Sequence, residues 1–259
     1  VRSVRFVLIS GVLSFRALFN RTSPAMFVGS LMSAPVFQML FFVLLGRYTG
    51  VADDKFFIIG NVLLATTGAG VIGGTMAIAN ERQYSTLGPV LLSPRSRLQI
   101  WGGRALPYIV TALFSMVFTL TVGSLLLGKV IPVSGFPALL LTLLVAATSA
   151  TALGMVVGSI GLRVTNNVFV ANVAYTLLIL LTGTNVPRGI LPPFLQTVGS
   201  FIPLTHATEA TRTIVRGDFS LGLVGEELAI GVCYGAAAIA LLRYFEHSAR
   251  KHAAFDTQS

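Results

Sequence analysis

Six stretches of the chain reach about the 20 apolar residues that a helix needs to cross the hydrocarbon core of a bilayer. They fall at residues 24–45, 56–79, 105–127, 137–161, 167–186 and about 223–242, and they hold no Asp, Glu, Lys or Arg apart from Glu226 and Glu227. A backbone in lipid must satisfy its own hydrogen bonds, so each stretch is predicted to be a membrane helix. Glu226 and Glu227 are expected in the first turn of the sixth, facing the positive end of its dipole. Residues 1–21 follow another pattern: Val4, Leu8, Val12, Phe15, Leu18 and Phe19 fall on one helical arc, with Arg2, Arg5 and Arg16 beside it. This is the pattern of an interfacial helix lying along the membrane surface, with a frayed basic leader as the alternative. Thr22, Ser23 and Pro24 then supply the start of the first span.

Two further segments are neither spans nor minimal turns. Residues 80–104 are longer and more amphipathic than a connection between two spans needs. Leu87, Val90, Leu91 and Leu92 make an apolar knob flanked by charge, which suits a short helix offered to a partner. Gly88 and Pro89 shorten or kink that helix. The alternative is a segment that runs along the membrane with Trp101 as its interfacial anchor. Residues 187–222 include an apolar run, from Gly189 to Pro203, that is too short and too rich in proline to span. A re-entrant pair of helices is expected, covered by protein or a watery cavity as irregular backbone at membrane depth must be. Glu209 and Arg212, three residues apart, are spaced to pair on the second of them.

Composition agrees with the pattern, since 54% of the 259 residues are hydrophobic and 10% charged. The net charge of +9 becomes an orientation signal once each charge is given a side. Twelve of the Lys and Arg fall on the side of residue 2, the 80–104 segment and the carboxyl-terminal tail; the opposite side is neutral. The positive-inside rule makes the first side cytoplasmic, with both termini inside a multi-pass protein of the cell membrane. The basic residues are too scattered for a nucleic-acid groove. The amino-terminal segment lacks a short apolar core ending in a cleavage site, so no cleaved signal peptide is expected there.

The sequence offers little enzymatic chemistry. Cys233 is the single cysteine. It leaves neither a disulfide framework nor zinc-ligand spacing. Gly158-Ser159-Ile160-Gly161 is not the frame of an intramembrane serine protease, and His206, His247 and His252 build no triad. There is no Gly-rich phosphate-binding loop, so ATP hydrolysis by that route is excluded, and no ionisable residue lies near a span centre to couple transport to an ion. Gln38, Asn61 and Asn172 are the strongest intramembrane polar groups and are expected to bond neighbouring helices. Phe37, Phe41 and Phe42 either line a pathway or face lipid. Gly154 with Gly158, Gly231 with Gly235, and the row Ala65, Ala69, Gly73 and Ala77 are spaced for close helix packing.

Two motifs carry a resemblance. Glu81-Arg82, Tyr84-Ser85-Thr86-Leu87, Leu91-Leu92-Ser93-Pro94 and later Gly103-Arg104 are similar to the coupling segment of permease subunits of type-two ATP-binding-cassette exporters. Leu191-Pro192, followed by Pro203-Leu204-Thr205-His206 and Arg212, resembles the signature around the outer helices of that family. Gly88-Pro89 departs from the acidic residue often found after Thr-Leu. The resemblance covers nearly the whole chain and implies an all-α polytopic membrane protein: an interfacial amino-terminal helix, six spans, a cytoplasmic coupling helix and an outer re-entrant pair, in one domain over residues 1–259. It implies export of a drug, lipid or lipid-linked molecule, or of a polysaccharide, by two permease subunits in a homodimer or heterodimer. A separate cytoplasmic ATPase would hold the ATP and magnesium, with no cofactor in this chain. From the residues alone, a self-contained secondary transporter, a channel, or a membrane assembly protein that transports nothing are the rival readings.

Overall fold

A computed structural model describes residues 2–19, 29, 32–83, 93, 96–128, 135–161 and 167–256. Among these residues the regular structure is entirely helical: α1 (Arg2–Phe19), α2 (Ser33–Thr49), α3 (Asp54–Leu64), α4 (Gly73–Gln83), α5 (Arg97–Leu127), α6 (Phe136–Gly161), α7 (Asn167–Leu181), α8 (Pro193–Ser200), α9 (Thr205–Arg216) and α10 (Leu221–Asp256). A π-helical segment, Thr67–Ile72, joins α3 to α4, and a 3-10 turn, Arg188–Ile190, precedes α8. Among the described residues, four helices are long and apolar enough to cross a membrane: Asp54–Ala79, Arg97–Leu127, Phe136–Gly161 and Leu221–Phe245. They correspond to the second, third, fourth and sixth stretches of the sequence. At the first and fifth, the helices are shorter: α2 has 17 residues and α7 has 15.

Local chemistry sets the helix limits. Gly50 closes α2 in the left-handed region at φ 65°, donating its N–H to the Gly46 carbonyl at 2.8 Å. Asp53 then caps α3 by accepting the Phe56 N–H at 3.0 Å. Arg47 grips Asp54 through two bonds of 3.0 and 2.7 Å, closing the turn between the two helices. Ser96 caps α5 by accepting the Gln99 N–H. That helix therefore begins at Arg97, inside the segment expected as a loop to residue 104. The fifth stretch ends early as well. Its helix stops at Leu181, and residues 182–185 continue as buried, irregular backbone.

The spans pack around α6 and the Asp54–Ala79 helix. Met39, Phe57, Val62, Met116, Leu143 and Leu178 belong to the largest apolar core. A second core gathers Ile78, Trp101, Ala105, Met155, Ala238 and Leu242 at the end of the bundle where α4 finishes and α5 begins. Trp101 is thus a fully buried core residue, and an indole enclosed on all sides cannot anchor at a membrane interface. The amino-terminal helix docks through its small residues. Gly11 lies against Leu106 of α5 and Gly103 against Ser10 of α1, while Leu8, Val12 and Phe15 of the apolar arc point outward. Pro107 of α5 leaves the Gly103 carbonyl, which lies beside Gly11, without its helical hydrogen bond.

Candidate functional site

The end of the bundle opposite the start of α5 is built by the 187–222 segment, which folds as the 3-10 turn and the two short helices α8 and α9. Pro192 and Pro193 suit the start of α8, where a missing N–H costs nothing. Arg188 holds that helix by donating to the Gln196 carbonyl at 2.8 Å and to Ser200 Oγ at 2.7 Å, and Gln196 donates to the Leu191 carbonyl at 2.8 Å. Across the turn, Thr205 donates to the Gly199 carbonyl at 2.7 Å, and His206 Nε2 lies 2.9 Å from the Ser200 carbonyl. Its Nδ1 lies 2.9 Å from Glu226 of α10. Between the two helices, Leu204 is buried in the left-handed region at φ 77°.

Arg212 ties α9 to the rest of the bundle. Its guanidinium sits 3.9 Å over the Phe56 ring and donates to the Gly183 carbonyl at 2.8 Å, with the Phe56 and Thr184 carbonyls at 3.4 Å. Burial lowers its pKa to about 10, partly offset by Glu209. The expected Glu209 pair is therefore replaced. Arg212 is spent on main-chain oxygens, and the exposed Glu209 carboxylate meets Arg188 at 4.0 Å instead. The same irregular strip takes Asn61 of α3, whose Nδ2 donates to Asn185 Oδ1 at 2.8 Å. Gln38 and Tyr175 join α2 to α7 at 2.9 Å. Asn172 departs from expectation: it lies on the outward face of α7.

Glu226 and Glu227 are in the second turn of α10, not the first, because the helix starts at Leu221. Glu226 is exposed, whereas Glu227 is fully buried. The Glu227 carboxylate accepts the Leu204 N–H at 2.8 Å, the Ala207 N–H at 3.2 Å and the Ser149 hydroxyl of α6. The sequence held a signal for this burial. Glu227 shares a helical face with Val224, which is buried, and Gly231, which packs on Ser149. Ser149 and Arg188 carried no comparable signal.

The glycines make the closest helix crossing. A Cβ on Gly154 would strike the Val71 carbonyl, one on Gly158 the Thr75 carbonyl, and one on Gly74 the Thr151 carbonyl. Thr75 also donates to the Gly154 carbonyl at 3.0 Å. Gly235 has open space beside it. The row Ala65, Ala69, Gly73 and Ala77 is not the line of this backbone contact; Gly73 faces Tyr108 of α5 instead. Of the coupling residues, Glu81 and Arg82 lie in the last turn of α4. Tyr84, Ser85, Thr86, Leu87, Leu91 and Leu92 lie outside the described residues, as do the side chains of Glu81 and Arg82.

A bundle of long apolar helices, closed at one end by short helices tied in through buried polar side chains, defines a multi-pass membrane protein. Residues 46–244 match the family described as ABC-2 family transporter protein, and the chain belongs to that family. It is 29% identical over 203 residues to the probable multidrug ABC transporter permease YbhR of Escherichia coli (strain K12), and equally to the protein of that name in E. coli O157:H7. The match covers 76% of this chain and 54% of each relative, so the chain spans about half the length of the curated relatives it matches.

Proposed function

We propose that the chain is the membrane permease part of an ATP-binding-cassette exporter, driven by a separate ATPase. The family match through residues 46–244 carries the reading. Export of a drug, lipid or lipid-linked molecule accords with the name of the E. coli relatives and with spans whose interior polar groups are mostly hydroxyls and amides. The 80–104 segment docks the ATPase at the cytoplasmic face, with both termini on that side. The 187–222 segment is the outer re-entrant pair. Its large apolar side chains Ile190, Phe194 and Phe201 are each about 70% exposed, a surface suited to lipid rather than water. A second permease subunit completes the pathway, set against the outward face of α7. Alternating access then requires that nucleotide binding favour one of two arrangements of these helices through contacts made at the coupling segment.

The test is the double substitution Leu87→Asp and Leu91→Asp in the full chain. ATPase capture and ATP-dependent export should fall at least tenfold while the chain still reaches the membrane. Capture and export at parental levels overturn the coupling assignment. Substrate movement down an ion gradient by purified chain alone, without an ATPase, overturns the exporter reading and favours a secondary carrier.

A further inference from the structure

Helix α9 begins without a cap of its own. Its N-cap residue is Leu204, which has no side-chain acceptor for the N–H groups exposed at a helix start. Leu204 is also the only described non-glycine residue with positive φ, a conformation disfavoured for leucine because its Cβ crowds the neighbouring backbone. Something outside α9 must hold this turn, and a carboxylate does so from another helix. Glu227 Oε1 takes the Leu204 N–H at 2.8 Å and Oε2 takes the Ala207 N–H at 3.2 Å. Oε1 also accepts the hydroxyl of Ser149 on α6, whose Oγ lies 3.1 Å from the Ala146 carbonyl. No salt bridge reaches Glu227 among the described residues. The neighbouring histidine, His206, pairs with Glu226.

We propose that Glu227 is the positioning residue of this end of the protein: a single buried carboxylate, carried by α10, that locks the start of α9 to α6 and keeps the left-handed turn at Leu204. The consecutive helices α9 and α10 and the distant α6 then move as one body. A neutral isostere cannot replace it. In the Glu227→Gln variant the side chain would keep one oxygen acceptor and turn an amide N–H₂ toward one of the two main-chain N–H groups, donor against donor. Leaving such a group unpaired in a buried place undoes the tie. The lock is a property of this chain alone; its consequence, that the outer pair travels with α6 and α10 when the pathway opens, rests on the permease reading.

The experiment measures the distance between spin labels at Glu209→Cys on α9 and Leu144→Cys on α6, in the full chain carrying Cys233→Ser, reconstituted in lipid nanodiscs without an ATPase. The parent should give one narrow distance. Glu227→Gln should broaden it at least twofold, Ser149→Ala should broaden it less, and Glu226→Gln should leave it unchanged. A parental distribution in Glu227→Gln overturns the proposal, and so does equal broadening by Glu226→Gln. If Glu227→Gln does not yield folded protein, Ser149→Ala decides: broadening supports the lock, and a parental distribution overturns it. In the assembled transporter, Glu227→Gln should lower export per ATP hydrolysed severalfold while hydrolysis continues. Should the distances behave as expected in a chain that supports no ATP-driven export, the permease reading fails and the lock stands.

Discussion

Arg212 lies on the inward face of α9, where a guanidinium can stack on Phe56 and still reach main-chain oxygens. A lysine has neither the plane nor the fork of donors. It also titrates ordinarily at about 10.4, and the burial that brings Arg212 down to about 10 would move a lysine below its ordinary value. The sign follows from proton linkage. Between the folded pKa and the unfolded one the unfolded chain binds more protons, so stability rises with pH. For Arg212 that window starts near pH 10; for Arg212→Lys it lies lower, below the ordinary lysine value of about 10.4. The thermal midpoint of Arg212→Lys should lie below the parent at pH 7.5 and climb toward pH 9.5, while the parent stays level in this respect. A flat profile in the variant would contradict the buried placement. Sequence spacing paired Arg212 with Glu209 because both lie on one helix. It could not weigh that pair against carbonyls at 183 and 184, since the value of those carbonyls comes from an irregular strip whose burial is a tertiary fact.

At the scale of elements, the crossing of α6 with the Asp54–Ala79 helix was half legible. Gly154 and Gly158 are four apart on one uninterrupted helix and do form a contact line. On the opposing helix, a constant spacing of four from Ala65 leads to Ala69 and Gly73, yet the backbone contact runs through Gly70 and Gly74. The π-helical segment Thr67–Ile72 supplies the reason. A π turn takes up about one more residue than an α turn, so the face of contact advances by one position. No hydrophobic pattern announces such a turn in a run of Gly, Ala and Thr. The crossing has a measurable consequence. Gly154→Ala places a methyl against the Val71 carbonyl, which has no flexible end to yield, and overpacking of this kind costs about 1–3 kcal/mol. Gly235→Ala meets nothing and should be neutral or stabilise by up to about 1 kcal/mol through helix propensity. Thermal unfolding of the two variants in the same detergent should therefore shift in opposite directions, or only Gly154→Ala should shift.

For the molecule as a whole, apolar run length located the four long helices, because it depends only on the solvent each stretch meets. What stayed hidden was the joining of distant segments, as with Glu227, and the outer face of α7. There Asn172 stands exposed in line with Phe169, Val173 and Leu177. Its own backbone carbonyl is occupied by Thr176 at 3.0 Å, but its carboxamide faces away from the bundle. In hydrocarbon that orientation is costly, and a helix from another copy is the natural source of a partner. Two-fold symmetry brings the same surface patch of each copy together, and an amide is both donor and acceptor, so one Asn172 can bond the other. Asn172→Cys in a Cys233→Ser chain should form a disulfide-linked dimer on mild oxidation in membranes. Val232→Cys, on the outward face of α10, should remain monomeric under the same conditions. Cross-linking at 232 with none at 172 would move the subunit contact to α10 and leave Asn172 as a polar residue of the pathway.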